Sequence, residues 1–184
     1  MAITAIKLTF EEFCQLPESV LPHELVDGKL RTPAAPTWRH QRILWHIARL
    51  LGSYVEDLCL GYIVMSPIDV VLDRDRPLVL RPDLVYISRA RVSLIRDKIY
   101  GAPDLTAEIF SRSGALFDRT EKAALYAQYG VREYWLVDPE AEVIEVRRLG
   151  AHGYETVGRF GRGDALRSTL FPGLHVSIDQ VFAD

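Results

Sequence analysis

Two acids and a lysine in the middle of the chain are the side chains whose types and spacing could do chemistry together. In "DLTAEIFS" alternate side chains of an extended segment point to opposite faces, so Leu105, Ala107 and Ile109 share one face and Thr106, Glu108 and Phe110 the other. A glutamate with apolar neighbours on both sides is costly to bury unless it is paired. An edge position facing water, a structural ion pair, or a site that uses the charge would each explain it. "LRPDLVYI" is a second extended segment with an acid at its entrance, where Asp83 shares a face with Val85 and Ile87. Pro82 is tolerable there because the first residues of a strand can lack a ladder donor. If the two segments are neighbours, Asp83 and Glu108 can converge on a hard divalent cation such as Mg²⁺. Asp104 follows another proline on the face of Glu108, but four residues of strand separate them by about 13 Å, too far to chelate one ion.

Lys122 is the third member. At about 100° per residue from Asp118, Lys122, Leu125, Tyr126 and Tyr129 fall on one stripe of a helix, with Arg119, Thr120, Glu121 and Gln128 off it. The lysine is thus on the apolar side, and in first turns where the helix dipole disfavours a cation. It either snorkels past the core to water or serves the nearby acids.

The elements that must position these groups follow from pattern. "LTFEEF" reads as a short helix start with a capping box, Thr9 and Glu12. "HELVDGKL" reads as two short strands about an Asp27-Gly28 turn. After the proline-rich "TPAAP", Ile43, Ile47, Leu50, Leu51 and Tyr54 recur at helical spacing and predict one long amphipathic helix. "GYIVMS", "IDVVL", "DLVYIS", "LTAEIFS", "EYWLVD" and "VIEVRRL" then read as strands, with "YETVGRF" and "LHVSI" extended in the tail. A helix is expected from Asp118 to about Tyr129, started by an Asp118/Glu121 capping pattern and ended at Gly130. The class is α/β, a central mixed sheet flanked by helices.

With 184 residues, 48% of them hydrophobic, the chain suffices for one cored domain. No apolar run approaches the roughly 20 residues of a membrane span, and the N-terminus lacks the pattern of a secretory signal, so a cytoplasmic protein is expected. Cys14 and Cys59 have no ligand spacing and are expected to be reduced packing residues. A net charge of −3 argues against a protein that coats phosphate nonspecifically, though not against a local basic cleft.

Taken in order, "RPDLVYI", "GAPDLTAEIFSRS" and "DRTEKAALYAQYGVREYWLVDPE" closely resemble the Uma2 family of restriction-endonuclease-like proteins. "HELVDGKL", the histidine of "TWRHQRI" and "LFPGLHVSI" fit the same family, so the resemblance spans nearly the whole chain. It implies a single restriction endonuclease-like domain over residues 1–184, with a nuclease core at about 36–149, of the PD-(D/E)xK type. In the common form of that motif the lysine stands two residues beyond the second acid. Here that position is Phe110, and the resemblance implies that Lys122 supplies the amine from the following helix.

The resemblance implies a metal-dependent endonuclease acting on DNA. Asp83, Glu108 and the carbonyl of Ile109 would bind Mg²⁺ or Mn²⁺, and Lys122 would steer water and offset charge. Glu24 matches an acidic position of the family and is either a further carboxylate near the metal or a solvated hairpin residue. His40 matches a family histidine but needs no function as a helix residue, and Ser111 is a candidate for orienting Glu108. Cutting two strands leads to the expectation of a homodimer. A nuclease-derived module that binds nucleic acid or protein without cutting, and an enzyme for RNA or branched substrates, stay as alternatives.

Overall fold

The computed structural model describes residues 7–17, 23–110 and 115–183. The first helix, α1 (Phe10–Cys14), carries the expected capping box between Thr9 and Glu12. Strands β1 (Glu24–Val26) and β2 (Lys29–Arg31) pair antiparallel across Asp27-Gly28. Both turn residues have positive φ, 50° and 80°, as a tight two-residue hairpin turn requires. Thr37 caps α2 (Trp38–Asp57) by accepting from the His40 amide.

Strands β3 (Gly61–Met65), β4 (Val70–Asp73), β5 (Leu78–Leu80) and β6 (Leu84–Ser88) follow, then a 3-10 segment (Arg89–Leu94), β7 (Ile99–Tyr100) and β8 (Leu105–Ile109). A short helix α3 (Ala115–Phe117), a π-helical turn (Asp118–Lys122) and α4 (Ala123–Tyr129) lead into β9 (Glu133–Asp138). The chain closes with β10 (Val143–Gly150), β11 (Gly153–Phe160), β12 (Ala165–Leu166), β13 (Val176–Ser177) and α5 (Ile178–Val181). Gly130 ends α4 in the left-handed conformation, φ 88°, as expected of a C-terminal glycine.

Among the described residues the principal sheet has the order β11-β10-β9-β8-β6-β3, and a second has the order β2-β1-β5-β4-β7. Strands β8 and β9 are parallel, joined by the helical segment as a crossover, while β6 and β8 are antiparallel. Helix α2 covers one face of the principal sheet through Ile43, Ile47 and Leu51, which meet Leu105, Ala107 and Ile109. The other face packs Val85, Ile87, Phe110 and Tyr134 against Tyr126 of α4 and Leu78 and Leu80 of the second sheet. Both faces of β8 are therefore buried, which removes the edge reading of Glu108.

Three expectations need correction. The helix does not begin at Asp118: among the described residues it is already formed at Ala115, and Asp118 lies inside it, buried, with no side-chain cap from Phe117. Its carboxylate turns to a lysine rather than to free amides. Strands β5 and β7 were not anticipated, being too short to show a period. Cys14 and Cys59 are exposed rather than packed. No helix among the described residues is long and apolar enough to cross a membrane.

Away from these acids, buried Glu133 anchors the C-terminal segment. It accepts from Trp135 Nε1 at 2.7 Å, Ser168 Oγ at 2.6 Å, and the amide and hydroxyl of Thr169 at 2.7 and 2.6 Å. Glu133→Ala strands these donors and should cost about 3 kcal/mol, read as a lowered denaturant midpoint. Glu133→Gln, which keeps acceptors, should lose less; equal losses would show that the hydrogen bonds contribute little.

Candidate active site

Each acid of the cluster is placed by a different element. The ladder between β6 and β8 pairs Leu84 with Ala107 and Val85 with Thr106. Continued by one residue, that register sets Asp83 opposite Glu108. Asp83 Oδ2 accepts from the Ile109 amide at 2.8 Å and from His40 Nε2 at 3.0 Å, so α2 and β8 together fix this carboxylate. The carboxylate partner makes Nε2 the protonated nitrogen of His40, and Nδ1 is buried with no hydrogen bond from the described residues.

Glu108 is 4% exposed. Its Oε1 accepts from Lys122 Nζ at 2.9 Å and from the Tyr126 hydroxyl at 2.8 Å. Lys122 is 5% exposed, so it does not snorkel to water. Its ammonium also meets Glu24 Oε1 at 2.8 Å and Asp118 Oδ1 at 3.7 Å. Glu24, at the start of β1, is buried and also accepts from the Arg81 amide at 3.1 Å, which excludes the solvated-hairpin reading. Phe110, the position from which the strand would have supplied a lysine, is buried beneath the guanidinium of Arg119, 4.6 Å from its ring. The amine comes instead from the helix that crosses over the same face.

The electrostatics follow from this crowding. Burial raises the Glu108 carboxyl well above its ordinary value; Lys122 opposes the shift, and Asp118, Asp83 and Glu24 add to it. Burial likewise raises Asp118, again against Lys122. Burial acts to lower Lys122, but Glu108, Glu24 and Asp118 outweigh it and hold the ammonium charged. Tyr126 is raised by burial and remains a hydroxyl donor. Three carboxylates thus meet one ammonium, with Asp83 close to Glu108 and Arg31 a more distant positive charge, and a desolvated excess of negative charge is stabilised by protons or a further cation.

Among the described residues no three histidine, cysteine, aspartate or glutamate side chains are placed to close on one ion. The carboxylates of Asp83 and Glu108 with the Ile109 carbonyl would be an all-oxygen set, of the kind that suits Mg²⁺, which keeps several waters and binds through one or two carboxylates. Hydrogen bonds from described residues reach only Oδ2 of Asp83 and only Oε1 of Glu108, so each has a second oxygen for such a role.

Of the expected residues, Asp83, Glu108, Lys122, Glu24 and His40 come together, and Ile109 joins them through its amide. Ser111 lies outside the described residues. Asp104 is held elsewhere by the Ser88 amide, Arg91 and Arg132, in agreement with its exclusion. Asp118 and Tyr126 went unrecognised, although their spacing of four residues to either side of Lys122 is a sequence signal for one helix stripe.

Known proteins resemble this chain over nearly its whole length. The structure is similar to a crystal structure described as "a putative nuclease belonging to DUF820" from Anabaena variabilis ATCC 29413, with a TM-score of 0.80 and 22% sequence identity, over 96% of this chain and 98% of that one. The shared architecture is the restriction endonuclease-like fold. A search of curated proteins finds no match. The Uma2 family model, described as "Putative restriction endonuclease", matches residues 10–179. That span takes in the hairpin of Glu24, both strand acids and the helix of Lys122, and the chain belongs to this family.

Proposed function

We propose that the protein is a metal-dependent endonuclease that hydrolyses DNA phosphodiester bonds. The observation that carries the reading is the gathering of Glu24, Glu108 and Asp118 on the ammonium of Lys122, with Asp83 beside Glu108. Family membership supports a nuclease function. In this reading residues 1–184 form one domain, and Asp83, Glu108 and the carbonyl of Ile109 hold Mg²⁺ or Mn²⁺.

When bound, the cation supplies Lewis acidity to a phosphate and a lowered pKa to water. Asp83 is held by His40 and the Ile109 amide, so its carboxylate is fixed in place before any substrate arrives. Lys122, gripped by Glu24 and Glu108, keeps its ammonium where it can offset negative charge developing on a scissile phosphate. Tyr126 donates to Glu108 and fixes the rotation of that carboxylate. One centre per chain cuts one strand, so double-strand cleavage calls for a homodimer.

Supercoiled plasmid with Mg²⁺ or Mn²⁺ tests the proposal. The wild type should nick it, and Asp83→Ala should lose both nicking and calorimetric metal binding. Metal binding with no cleavage of duplex DNA, single strands or RNA would instead favour a nuclease-derived binding module. Preferential cleavage of RNA would keep the chemistry and change the substrate.

A further inference from the structure

Lys122 has no hydrogen-bond donor to spare. An ammonium carries three donors, and this one faces Glu24 at 2.8 Å, Glu108 at 2.9 Å and Asp118 at 3.7 Å. Its field reaches a phosphate, but a hydrogen bond to one has to come from another cation. Three of the arginines beside the cluster are engaged with acids. Arg39, next to His40, meets Glu142 at 2.7 Å. Arg81, whose amide serves Glu24, gives its guanidinium to Asp69. Arg119, next to Asp118, lies 3.6 Å from Asp138 and 3.6 Å from Glu145.

Arg31 differs from these. It stands directly opposite Glu24 in the β1–β2 pair, and opposed residues of an antiparallel pair project from one face. Its guanidinium lies 3.3 Å from the centre of the Phe117 ring, a cation–π contact. Phe117 is buried and is followed by Asp118, whose carboxyl burial raises and the charges of Lys122 and, more weakly, Arg31 lower. Among the described residues Arg31 donates no hydrogen bond and forms no ion pair. A guanidinium that served only to balance the acids would close on Glu24 or Asp118. This one is held flat by a ring instead, part-exposed, with its fork of donors open.

We propose that Arg31 binds the non-bridging oxygens of a backbone phosphate of the nucleic acid that lies at the acid cluster, with Phe117 fixing the plane of its fork. The proposal rests on the nuclease reading for the identity of that ligand. A planar guanidinium matches phosphate bidentately, and a group already held by stacking loses less freedom when it binds. Buried Lys122 then acts on the site through its charge alone, and Arg31 supplies the hydrogen bonds.

The test is binding of a short DNA duplex in EDTA, read by fluorescence anisotropy from about 50 to 200 mM salt. Arg31→Met should weaken binding about tenfold at the low-salt end, the loss of one hydrogen bond to a charged group. It should also reduce the slope of log K against log salt by about 0.9, one duplex phosphate. Arg31→Lys keeps the charge and should keep the wild-type slope. Arg148→Gln is the control, since Arg148 is paired to Glu155 and stands in register with Glu133, away from the level of Glu108; it should change neither quantity. An unchanged slope in Arg31→Met overturns the proposal, as does an equal reduction in Arg148→Gln or a wild type that does not bind the duplex. An equal reduction in Arg31→Met and Arg31→Lys also overturns it, because Arg31 would then be a packing group for Phe117. Cleavage plays no part in EDTA, so the two readings fail separately. An Arg31-dependent slope without nicking in any cation keeps the contact and sinks the nuclease reading, and nicking with Arg31-independent binding does the reverse.

Discussion

Glu108→Gln should abolish most divalent-dependent nicking, by on the order of a hundredfold or more, while raising the melting temperature of the cation-free protein at pH 8. The two effects share one cause. The carboxylate sits among three other acids, and burial has already pushed its pKa well up. A glutamine keeps an oxygen for the Tyr126 hydroxyl and for the Lys122 ammonium, which also retains Glu24 at 2.8 Å. It removes one negative charge from a site that has too many, and gains of about 1–2 kcal/mol are usual when a functional strain is relieved.

The pH dependence has a definite sign. A carboxyl whose folded pKa exceeds its unfolded value contributes stability that is complete below the unfolded value of 4.5 and is lost as pH rises through the folded one. Asp118 acts in the same direction from 3.8. The depressed acids Asp69 and Asp104 lose their contributions only as pH falls below the usual carboxylate range, and Lys122 stays charged throughout. From pH 5 to 8 the wild type in EDTA should therefore lose stability as pH rises, and Glu108→Gln should show a flatter profile. Saturating Mg²⁺ should restore the wild type at pH 8 and do little for the variant. A flat wild-type profile in EDTA, measured by calorimetry, would show that the cluster holds no excess charge.

The residues that were legible from sequence are those whose signal is local. Asp27-Gly28, the Thr9–Glu12 box and Gly130 each encode their own turn or cap, and all three are found. Alternation along residues 105–109 reported correctly that Leu105, Ala107 and Ile109 face one core while Phe110 faces the other. Periodicity says which side of an element is buried but not what lies opposite, so Glu24 kept two readings until Lys122 was seen at 2.8 Å. Asp118 misled for a related reason. Asp followed three residues later by Glu is a capping pattern locally, and only the tertiary position of Lys122 reveals that the carboxylate is used inside the helix. The π-helical turn that seats both has no period of its own in so few residues. Tyr126 resembled simple packing because a phenol on an apolar stripe usually is; its hydroxyl acquires a role only through a glutamate on another element.

Lys122→Met should act in the opposite direction on stability. It deletes the cation that, among the described residues, touches Glu24, Glu108 and Asp118, and leaves buried carboxylates with like-charged neighbours. Removing one partner of a buried ion pair costs about 3–5 kcal/mol, and that loss should appear in denaturant melts at pH 8. At pH 5 it should shrink, because the raised acids take up protons in place of the ammonium. Nicking should be absent at both values, since neither protons nor methionine can offset charge on a phosphate. The double variant Lys122→Met/Glu108→Gln should be more stable than Lys122→Met alone, because residues in one contact network are not additive. If Lys122→Met melts like the wild type at pH 8, the ammonium is solvated and carries no charge balance. The lysine would then be a packing residue, and the case for a cation between Asp83 and Glu108 would lose its electrostatic basis.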